Sequence, residues 1–314
     1  MTGNGIEILL ATCNGAAYLS ALLDSLLAQT YGNWRLVIRD DGSTDDTPRI
    51  IGKYLANHPD RVSILRDKGE TLGPCGNFAR LLHHSKADYT MFCDQDDVWL
   101  PEKIELTMAR MREMESLYGE DTPIMVHTDL RVVDGNLKPL SDSLWRYQTT
   151  DPDATALNRL LVQNVATGCT VMINRALREL ALPIPVEARM HDWWLALVAA
   201  VFGRIGHVAQ PTILYRQHGR NDSGAAPMGA VAALGKLLAP STLVQRTELD
   251  LHIQRQAAAF LQRYGDRLST RDRDLLDIYS RLHEQGFFME RYYRLKYGFL
   301  YAGFLMNIRL LLFR

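Results

Sequence analysis

Strand-like and helix-like segments alternate through the first hundred residues of the chain, and this alternation restricts the fold more than any other feature. Apolar runs typical of buried strands are separated by segments whose apolar residues recur at helical spacing. The strand-like runs are IEILLAT, WRLVIRDDGS, VSILRD and YTMFCDQDD. Because such alternation brings strands together in parallel with helices on both faces, the sequence predicts an α/β fold with a mostly parallel, Rossmann-like sheet.

Polar clusters follow three of these runs at the points where the strands are expected to end. They read TCNG after the first run, RDDGSTD after the second and DQDD after the fourth. In open sheets of this kind, ligands bind outside the carboxyl ends of the strands. The sequence therefore predicts one binding site built from these three clusters.

Composition excludes several classes of protein. The formal net charge of −1 argues against a nucleic-acid binder held by phosphate contacts. The four cysteines are scattered without a C-x-x-C pair, which indicates reduced thiols in the cytosol. The N-terminal sequence lacks the basic region and cleavage site of a signal peptide, and no charge-free apolar stretch is long enough to predict a spanning helix.

Patterns beyond the first hundred residues predict the domain organisation. Strand-like runs and one apolar helix, HDWWLALVAAVFG, continue to about residue 220, and helical sequence then runs to the C-terminus. We expect a catalytic domain over 1–223, with a nucleotide-binding half over 1–100 and an acceptor-binding half over 101–223. A helical region over 224–314 should follow it.

The cluster DQDD has the residues of a divalent-cation site. Alternation along an extended backbone places Asp94 and Asp96 on the same side, and Mg²⁺ or Mn²⁺ prefers such oxygen ligands together with substrate phosphates. A cation carrying a diphosphate would compensate these carboxylates. The alternative is an acidic loop that caps the next helix, with Pro101 near its first turn.

The cluster RDDGSTD fits contact with a nucleobase. Asp41 lies where a strand stops, and Gly42 permits close approach of the backbone to a ligand. A carboxylate there can accept a hydrogen bond from the imide N–H of uracil or thymine. An Asx-turn followed by a helix, capped by Thr44 or Asp45, explains the same residues equally well.

In combination, these segments resemble the family 2 glycosyltransferases. The stretch from ILLATCNG to RDDGSTDDT is similar to the nucleotide-binding opening of that family, and YTMFCDQDDVWLPEKI is similar to its D-x-D site and following helix. MHDWWLALVAAVFG and YRQHGRN resemble its rhamnosyltransferase-like branch. The resemblance covers roughly residues 5 to 222. It implies a GT-A (nucleotide-diphospho-sugar transferase) fold and inverting, metal-dependent transfer of a sugar to a hydroxyl.

The resemblance also implies roles for individual residues. It makes Asp41 the base-binding residue, Asp94 and Asp96 the D-x-D pair, and Asp192 the general base, although Asp192 is equally placed to cap its helix. His218 would complete the site of the Mn²⁺ or Mg²⁺ ion. The further candidates for nucleotide or diphosphate contact are Thr12, Asn14, Asn77, Arg80, Arg216 and Arg220. Relatives often carry Tyr where this chain has Cys13, which removes aromatic stacking on the base from that position.

Donor and acceptor follow from the branch. The expected donor is dTDP-L-rhamnose, with a UDP- or GDP-sugar as the alternative, and the expected acceptor is an oligosaccharide or a polyprenyl-diphosphate-linked saccharide of bacterial surface polysaccharide. Two other classes fit the sequence less well. A nucleotidyltransferase would need a Gly-rich phosphate loop that ATCNGAAYL does not match, and the intact candidate residues argue against a degenerate carbohydrate-binding or scaffold relative.

The C-terminal segment 292–314 is aromatic, apolar and basic. Aromatic residues beside Arg291, Arg294 and Lys296 suit a helix that lies in a lipid interface, and a helix packed on the catalytic domain or on a homodimer partner is the competing interpretation. The membrane interpretation predicts a peripheral enzyme on the cytoplasmic face of the plasma membrane.

Overall fold

The computed structural model describes residues 5–67, 69–219 and 240–312. Its secondary structure follows the predicted alternation. The strands are β1 Ile6–Thr12, β2 Trp34–Asp40, β3 Val62–Ile64, β4 Tyr89–Asp94, β5 Val98–Trp99, β6 Ile124–Asp134, β7 Pro139–Ser141, β8 Met172–Asn174 and β9 Arg204–Gln217. The first eight helices are α1 Ala16–Leu27, α2 Thr47–Asn57, α3 Gly73–His84, α4 Lys103–Tyr118, α5 Leu144–Gln148, α6 Leu157–Leu160, α7 Arg175–Ala181 and α8 His191–Phe202. The remaining helices are α9 Pro240–Tyr264, α10 Thr270–Ser280, α11 Phe287–Tyr297 and α12 Phe304–Leu312.

The chain forms two compact units. The first contains Met1–Leu144, Ala166–Ile184 and Met190–Gly224, and the second contains Trp145–Val165, Pro185–Arg189 and Ala225–Arg314. Two short segments that the sequence analysis assigned to the catalytic domain, 145–165 and 185–189, thus belong to the second unit. The expected boundary at 223 and 224 lies outside the described residues.

One sheet carries the first unit, with strand order β3-β2-β1-β4-β8-β6-β9-β5 and with β7 paired to β6. The strands β3, β2, β1 and β4 are parallel, as predicted. The short strand β8 then runs antiparallel between β4 and β6, and β6 and β9 are parallel to each other. The strands β3, β2, β1 and β4 therefore form a parallel sheet, and the sheet becomes mixed beyond β4.

Both faces of the central strands are buried. Ile8, Leu9 and Leu10 of β1 and Phe92 of β4 have no exposed surface. A parallel strand covered by helices on both faces reads as a continuous apolar run rather than as an alternating one, which is the pattern of IEILLAT. This burial fixes the strand ends and so fixes the loops that follow them.

The start of α2 differs from the prediction. The helix begins at Thr47 and Asp46 is its N-cap, without a side-chain capping bond. Asp45 instead accepts hydrogen bonds from Thr47 N at 2.9 Å and from Ala16 N at 3.1 Å, so it joins the starts of α2 and α1. The expectation that Thr44 or Asp45 is the N-cap is wrong, because Asp46 holds that position, although the Asp45 side chain still bonds the first N–H of α2.

The second unit contains α9 to α12 and has a core of its own, which includes Phe260, Leu276, Tyr279 and Phe299. The segment predicted as one helix over 292–314 is two helices in the structure. Gly298, which adopts the left-handed conformation with φ 69°, ends α11, and α12 begins six residues later at Phe304. A residue with a side chain is strained in that conformation, so Gly298 marks a fixed end of α11.

Among the described residues, none of the helices combines the length and the hydropathy that crossing a membrane requires.

Candidate active site

A cavity of about 350 Å³ lies at the carboxyl ends of β1, β2 and β4. This is the place at which open α/β sheets bind ligands. Five of the eleven residues predicted for the site, ten of which are described, line it: Thr12, Asp41, Asn77, Asp94 and Asp96. The other cavity-lining residues are Ala11, Cys13, Thr71, Gly73, Pro74, Phe78, Gln95, Met190 and Tyr215. The three polar clusters of the sequence therefore meet at one cavity.

Asp41 is held by the start of α3 and by Arg39. Its carboxylate accepts hydrogen bonds from Leu72 N at 2.9 Å, from Gly73 N at 2.8 Å and from Arg39 Nη1 at 2.6 Å. A carboxylate offers about four acceptor positions, so these three donors leave room for about one more. Asp41 therefore lines the cavity and also bonds the start of α3, which is not the helix that the Asx-turn interpretation of RDDGSTD concerned.

Arg39 is the centre of this network and was missed by the sequence analysis. Its guanidinium is 1% exposed and contacts Asp67 at 2.8 Å and Asn77 Oδ1 at 3.2 Å. The hydrogen bond from Arg39 lowers the pKa of Asp67. WRLVIRD contains two arginines, of which Arg35 is exposed and Arg39 is buried and paired, so the sequence alone did not single out Arg39.

The network also places two weaker candidates. Asn77 Nδ2 donates to Arg39 O at 3.3 Å, so its amide both lines the cavity and bonds the strand end. Arg80 pairs with Asp67 at 3.1 Å and is 33% exposed. Of the described residues, Asn77 lines the cavity and Arg80 does not.

The cluster DQDD is separated from the next helix by β5, and α4 has Glu102 as its N-cap, so these aspartates do not cap it. Asp94 and Asp96 line the cavity. Asp96 Oδ2 lies 2.8 Å from His218 Nε2, although 122 residues separate the two in sequence. The ring of Tyr18 stacks on His218 with centroids 4.7 Å apart. Carboxylates and an imidazole form a donor set that suits Mn²⁺ or Mg²⁺ better than it suits a soft metal.

Asp97 is fully buried next to this site. Burial, with Asp96 and Asp94 nearby, raises its pKa well above the ordinary value. Its Oδ1 accepts a hydrogen bond from Arg216 N at 3.1 Å. One ligand atom each of Asp94, Asp97 and Cys169 lies within 4.8 Å of the others. Asp97 and Cys169 were not predicted as site residues, and the only signal for Asp97 is its place after the D-x-D pair.

Arg216 binds backbone rather than lining the cavity. Its Nε donates to Asp96 O at 2.8 Å, its Nη1 donates to Gly135 O at 2.7 Å, and its guanidinium lies over the ring of Tyr18. These contacts tie the end of β9 to the loop that contains Asp96. Contact between Arg216 and a diphosphate stays a prediction, and Arg220 lies outside the described residues.

Asp192 lies in the first turn of α8, whose N-cap is Met190. Its Oδ1 accepts a hydrogen bond from Trp193 N at 2.7 Å, and the side chain is largely buried. Asp192 Oδ2 would lie 3.3 Å from a Cβ atom added to Gly168, a distance at which the carboxylate would have to shift by a few tenths of an ångström. Of the described residues at this helix start, Met190 lines the cavity and Asp192 does not.

Thr12 and Asn14 shape the loop after β1. Thr12 Oγ1 donates to Asp40 Oδ1 at 2.8 Å. Asn14 has a positive φ of 49°, a conformation that asparagine tolerates better than most residues, and its Oδ1 accepts from Thr44 N at 2.8 Å. Both residues therefore join the first two polar clusters to each other.

Comparison with known proteins identifies the family. Residues 7–179, more than half of the chain, match the model described as glycosyl transferase family 2. The chain belongs to this family and is a glycosyltransferase, as the sequence analysis predicted.

Curated relatives are similar over most of the chain. The uncharacterized glycosyltransferase alr2836 of Nostoc sp. is 28% identical over 228 residues, which cover 70% of this chain and 67% of that protein. The uncharacterized protein Mb1547 of Mycobacterium bovis is 29% identical over 219 residues, and the match covers 68% of this chain and 59% of the relative. The dTDP-rhamnosyl transferase RfbG of Shigella flexneri is 26% identical over 227 residues, covering 69% and 74%. The match thus spans less than two thirds of the mycobacterial relative.

Solved structures confirm the predicted GT-A fold. S. aureus TarS 1–349 in complex with UDP-GlcNAc superposes with a TM-score of 0.54 at 15% identity, over 88% of this chain and 79% of that one. Mannosyltransferase PcManGT from Pyrobaculum calidifontis in complex with GDP-Man and Mn²⁺ gives a TM-score of 0.53 at 15% identity, over 95% and 76%.

Buried His191 generates a prediction about acid stability. Its ring packs 4.1 Å from that of Phe78, and burial lowers its pKa to about 3 from 6.5. Because the unfolded chain binds the proton between these pH values, stability is lost as the pH falls below about 6.5. We expect His191→Phe to flatten the fall in unfolding free energy between pH 6.5 and 4 by up to about 1.4 kcal/mol per pH unit.

Chemical denaturation at several pH values measures this slope. His83→Phe is the control, because His83 is exposed and should leave the slope unchanged. Equal slopes for His191→Phe and the wild type would contradict a buried, neutral His191.

Proposed function

We propose that this chain transfers a sugar, with inversion, from a nucleotide diphosphate to a hydroxyl with the help of a divalent cation. The observation that carries this proposal is one cavity at the strand ends that is lined by Asp41, Asp94 and Asp96, with His218 bonded to Asp96. A nucleotide-binding carboxylate and a hard-ligand cation site at the same cavity are what a nucleotide-sugar donor needs.

On the nucleobase side, Asp41 is the proposed acceptor for an imide N–H. The remaining acceptor position on its carboxylate matches the single imide donor of uracil or thymine. Guanine also carries an N–H next to a carbonyl, so this contact alone does not select the base. Cys13, rather than an aromatic ring, lines the cavity beside Thr12.

On the phosphate side, Asp94, Asp96 and His218 are the residues that would hold the cation. When bound, Mn²⁺ or Mg²⁺ neutralises the charge that develops on the leaving diphosphate. The chain's own part is to hold these three side chains in place. Tyr18 does so by stacking on His218, and Arg216 does so by bonding the backbone of Asp96.

For the acceptor, Asp192 is the proposed general base. The acceptor oxygen forms a bond to the anomeric carbon, the bond from that carbon to the diphosphate oxygen breaks, and the acceptor proton moves to Asp192. The carboxylate lies in the first turn of α8, where the helix dipole stabilises its charge, and Gly168 leaves space next to it.

Within the family, dTDP-L-rhamnose is the donor we propose. Its support is the similarity to the Shigella dTDP-rhamnosyl transferase, which covers 69% of the chain. UDP- and GDP-sugars are the second candidates, because the structures with the same fold were solved with UDP-GlcNAc and GDP-Man. The proposed acceptor is a lipid-linked saccharide of a bacterial surface polysaccharide.

An exposed apolar face on α11 supports a bilayer surface as a further partner. Phe288, Tyr292 and Leu295 follow the helical spacing of one face, and each is more than half exposed. The basic residues predicted to meet anionic lipid are used differently. Arg291 and Arg294 are buried and pair with Glu290 at 2.7 and 3.0 Å. Contact at the cytoplasmic face of the membrane would therefore depend on apolar insertion more than on headgroup charge, with Lys296 as the exposed basic residue among the three.

The metal and the donor are tested together. Binding of UDP, GDP and dTDP sugars should raise the melting temperature only with Mn²⁺ or Mg²⁺, because a ligand that binds the native state stabilises it. Asp96→Ala should abolish this shift and the transfer of sugar, and EDTA should inactivate the wild type. Asp60→Ala, an exposed acidic control, should behave as the wild type does. Full activity in EDTA, or a shift that survives Asp96→Ala, contradicts the metal assignment.

The base is tested by Asp192→Asn, which keeps the shape of the side chain and removes its basicity. We expect kcat to fall by about 10²- to 10⁴-fold while the donor Kd from calorimetry changes less than about twofold. An Asn variant with normal kcat would show that the proton goes elsewhere.

The bilayer contact is tested by the double variant Phe288→Ser, Leu295→Ser in vesicle co-sedimentation. The wild type should sediment with neutral and anionic vesicles in low and in high salt, because its gain comes from buried apolar area. The variant should stay in the supernatant, and Leu117→Ser, an exposed apolar control, should sediment normally. If the wild type stays in solution and the double variant separates a dimer into monomers, this face is a subunit interface.

A further inference from the structure

Gln95, the residue between Asp94 and Asp96, bonds the backbone of the opposite loop. Cys13 N donates to Gln95 Oε1 at 2.9 Å, and Gln95 Nε2 donates to Cys13 O at 2.9 Å. The backbone ladder between β1 and β4 ends at the pair Ala11 and Asp94. The side-chain amide of Gln95 therefore continues the pairing of the two strands just beyond the point where the ladder stops.

Gly15 provides the space for this contact. A Cβ atom added to Gly15 would lie 2.2 Å from Gln95 Oε1 and 2.5 Å from Gln95 Cδ. The backbone of Gly15, with φ −100° and ψ 9°, is open to any residue, so conformation does not require glycine here. The need for glycine comes from the amide of Gln95, which occupies the volume that a side chain would fill.

We propose that Gln95 is a positioning residue that fixes the loop 12–15 relative to the loop 94–97. The first loop lies on the nucleoside side of the cavity and the second on the cation and diphosphate side, so the inference rests on the proposed function. With both loops held at one separation, the two ends of a single donor bind without first ordering the site. We name the contact between Gln95, Cys13 and Gly15 the amide clamp.

The amide clamp should matter for ligands that reach both loops and not for ligands that reach one. A nucleoside diphosphate with Mn²⁺ spans the two loops, whereas a nucleoside monophosphate without metal engages the first loop. Gln95→Ala should weaken the diphosphate by about tenfold, the scale of one or two net hydrogen bonds, and change the monophosphate less than about twofold. A general loss of folding would weaken both ligands equally.

Gly15→Ala supplies an independent way to open the amide clamp. The added methyl group meets the end of a flexible side chain, so the fold survives while Gln95 is displaced from Cys13. Gly15→Ala should therefore reproduce the effect of Gln95→Ala. In a chain that already carries Gln95→Ala, the methyl group has nothing to displace, and Gly15→Ala should change the affinity less than about twofold further.

The experiment is calorimetry of the four proteins of this cycle with dTDP, UDP and GDP in Mn²⁺ and with the matching monophosphates in EDTA. Gly52→Ala is the control, because a Cβ there meets nothing within 4 Å. Non-additive losses confined to the diphosphates support the amide clamp. Additive losses from Gly15→Ala and Gln95→Ala, or equal losses for both classes of ligand, overturn it.

Hydrogen exchange separates this inference from the proposed function. The amide of Cys13 donates to Gln95, so exchange in a peptide spanning residues 12–15 should quicken in Gln95→Ala and Gly15→Ala and not in Gly52→Ala. This readout needs no ligand. If the wild type binds no nucleotide, the proposed function fails. The exchange rates still decide whether the amide clamp holds the loop, because unchanged rates in both variants overturn it.

Discussion

Carboxylates at the ends of core strands are expensive to bury, and the way each one is compensated organises the first unit. Asp41 is compensated by Arg39 and by the amides of Leu72 and Gly73, so the loop before α3 is drawn to the end of β2. Asp96 is compensated by His218, which draws the end of β9 to the end of β4. The same contacts that make the charges tolerable therefore assemble the walls of the cavity.

Buried charges of this kind restrict which substitutions the fold tolerates more than they add to its stability. Arg39 pairs with both Asp41 and Asp67, and Asp67 pairs with both Arg39 and Arg80, so loss of one charge would leave its partners with fewer compensating contacts, which is a cost for buried groups. An apolar replacement of the whole network would relieve that cost and would also remove the carboxylate of Asp41 from the cavity. The network therefore serves mainly to position Asp41 and its neighbours at the cavity, and it must be locally stable to do so.

Strands and helices with a regular hydrophobic period could be predicted from the sequence, whereas most contacts between distant segments could not. The run IEILLAT predicted a strand buried on both faces, and the polar clusters at the strand ends predicted where Asp41, Asp94 and Asp96 would meet. The position of α8 and its Asp192 also followed from periodicity. By contrast, the residues of DQDD do not themselves indicate that His218 lies beside Asp96, which only the family resemblance implied, or that Arg216 binds the backbone of the same loop. The composition of the segment around α11 did not show that Arg291 and Arg294 are buried. In the structure both pair with Glu290 inside the second unit.

The strand order has a consequence for how the chain matures on the ribosome. The strand β4, which ends in Asp94, pairs on one side with β1 and on the other with β8, whose residues Met172–Asn174 are made nearly eighty residues later. Until then, the apolar run YTMFC is an unpaired edge, and such edges are templates for wrong pairing between nascent chains. The strands β1 to β4 are therefore made long before the sheet around β4 is complete. During that interval β4 has one exposed edge, and a chaperone that covers this edge would be of most use.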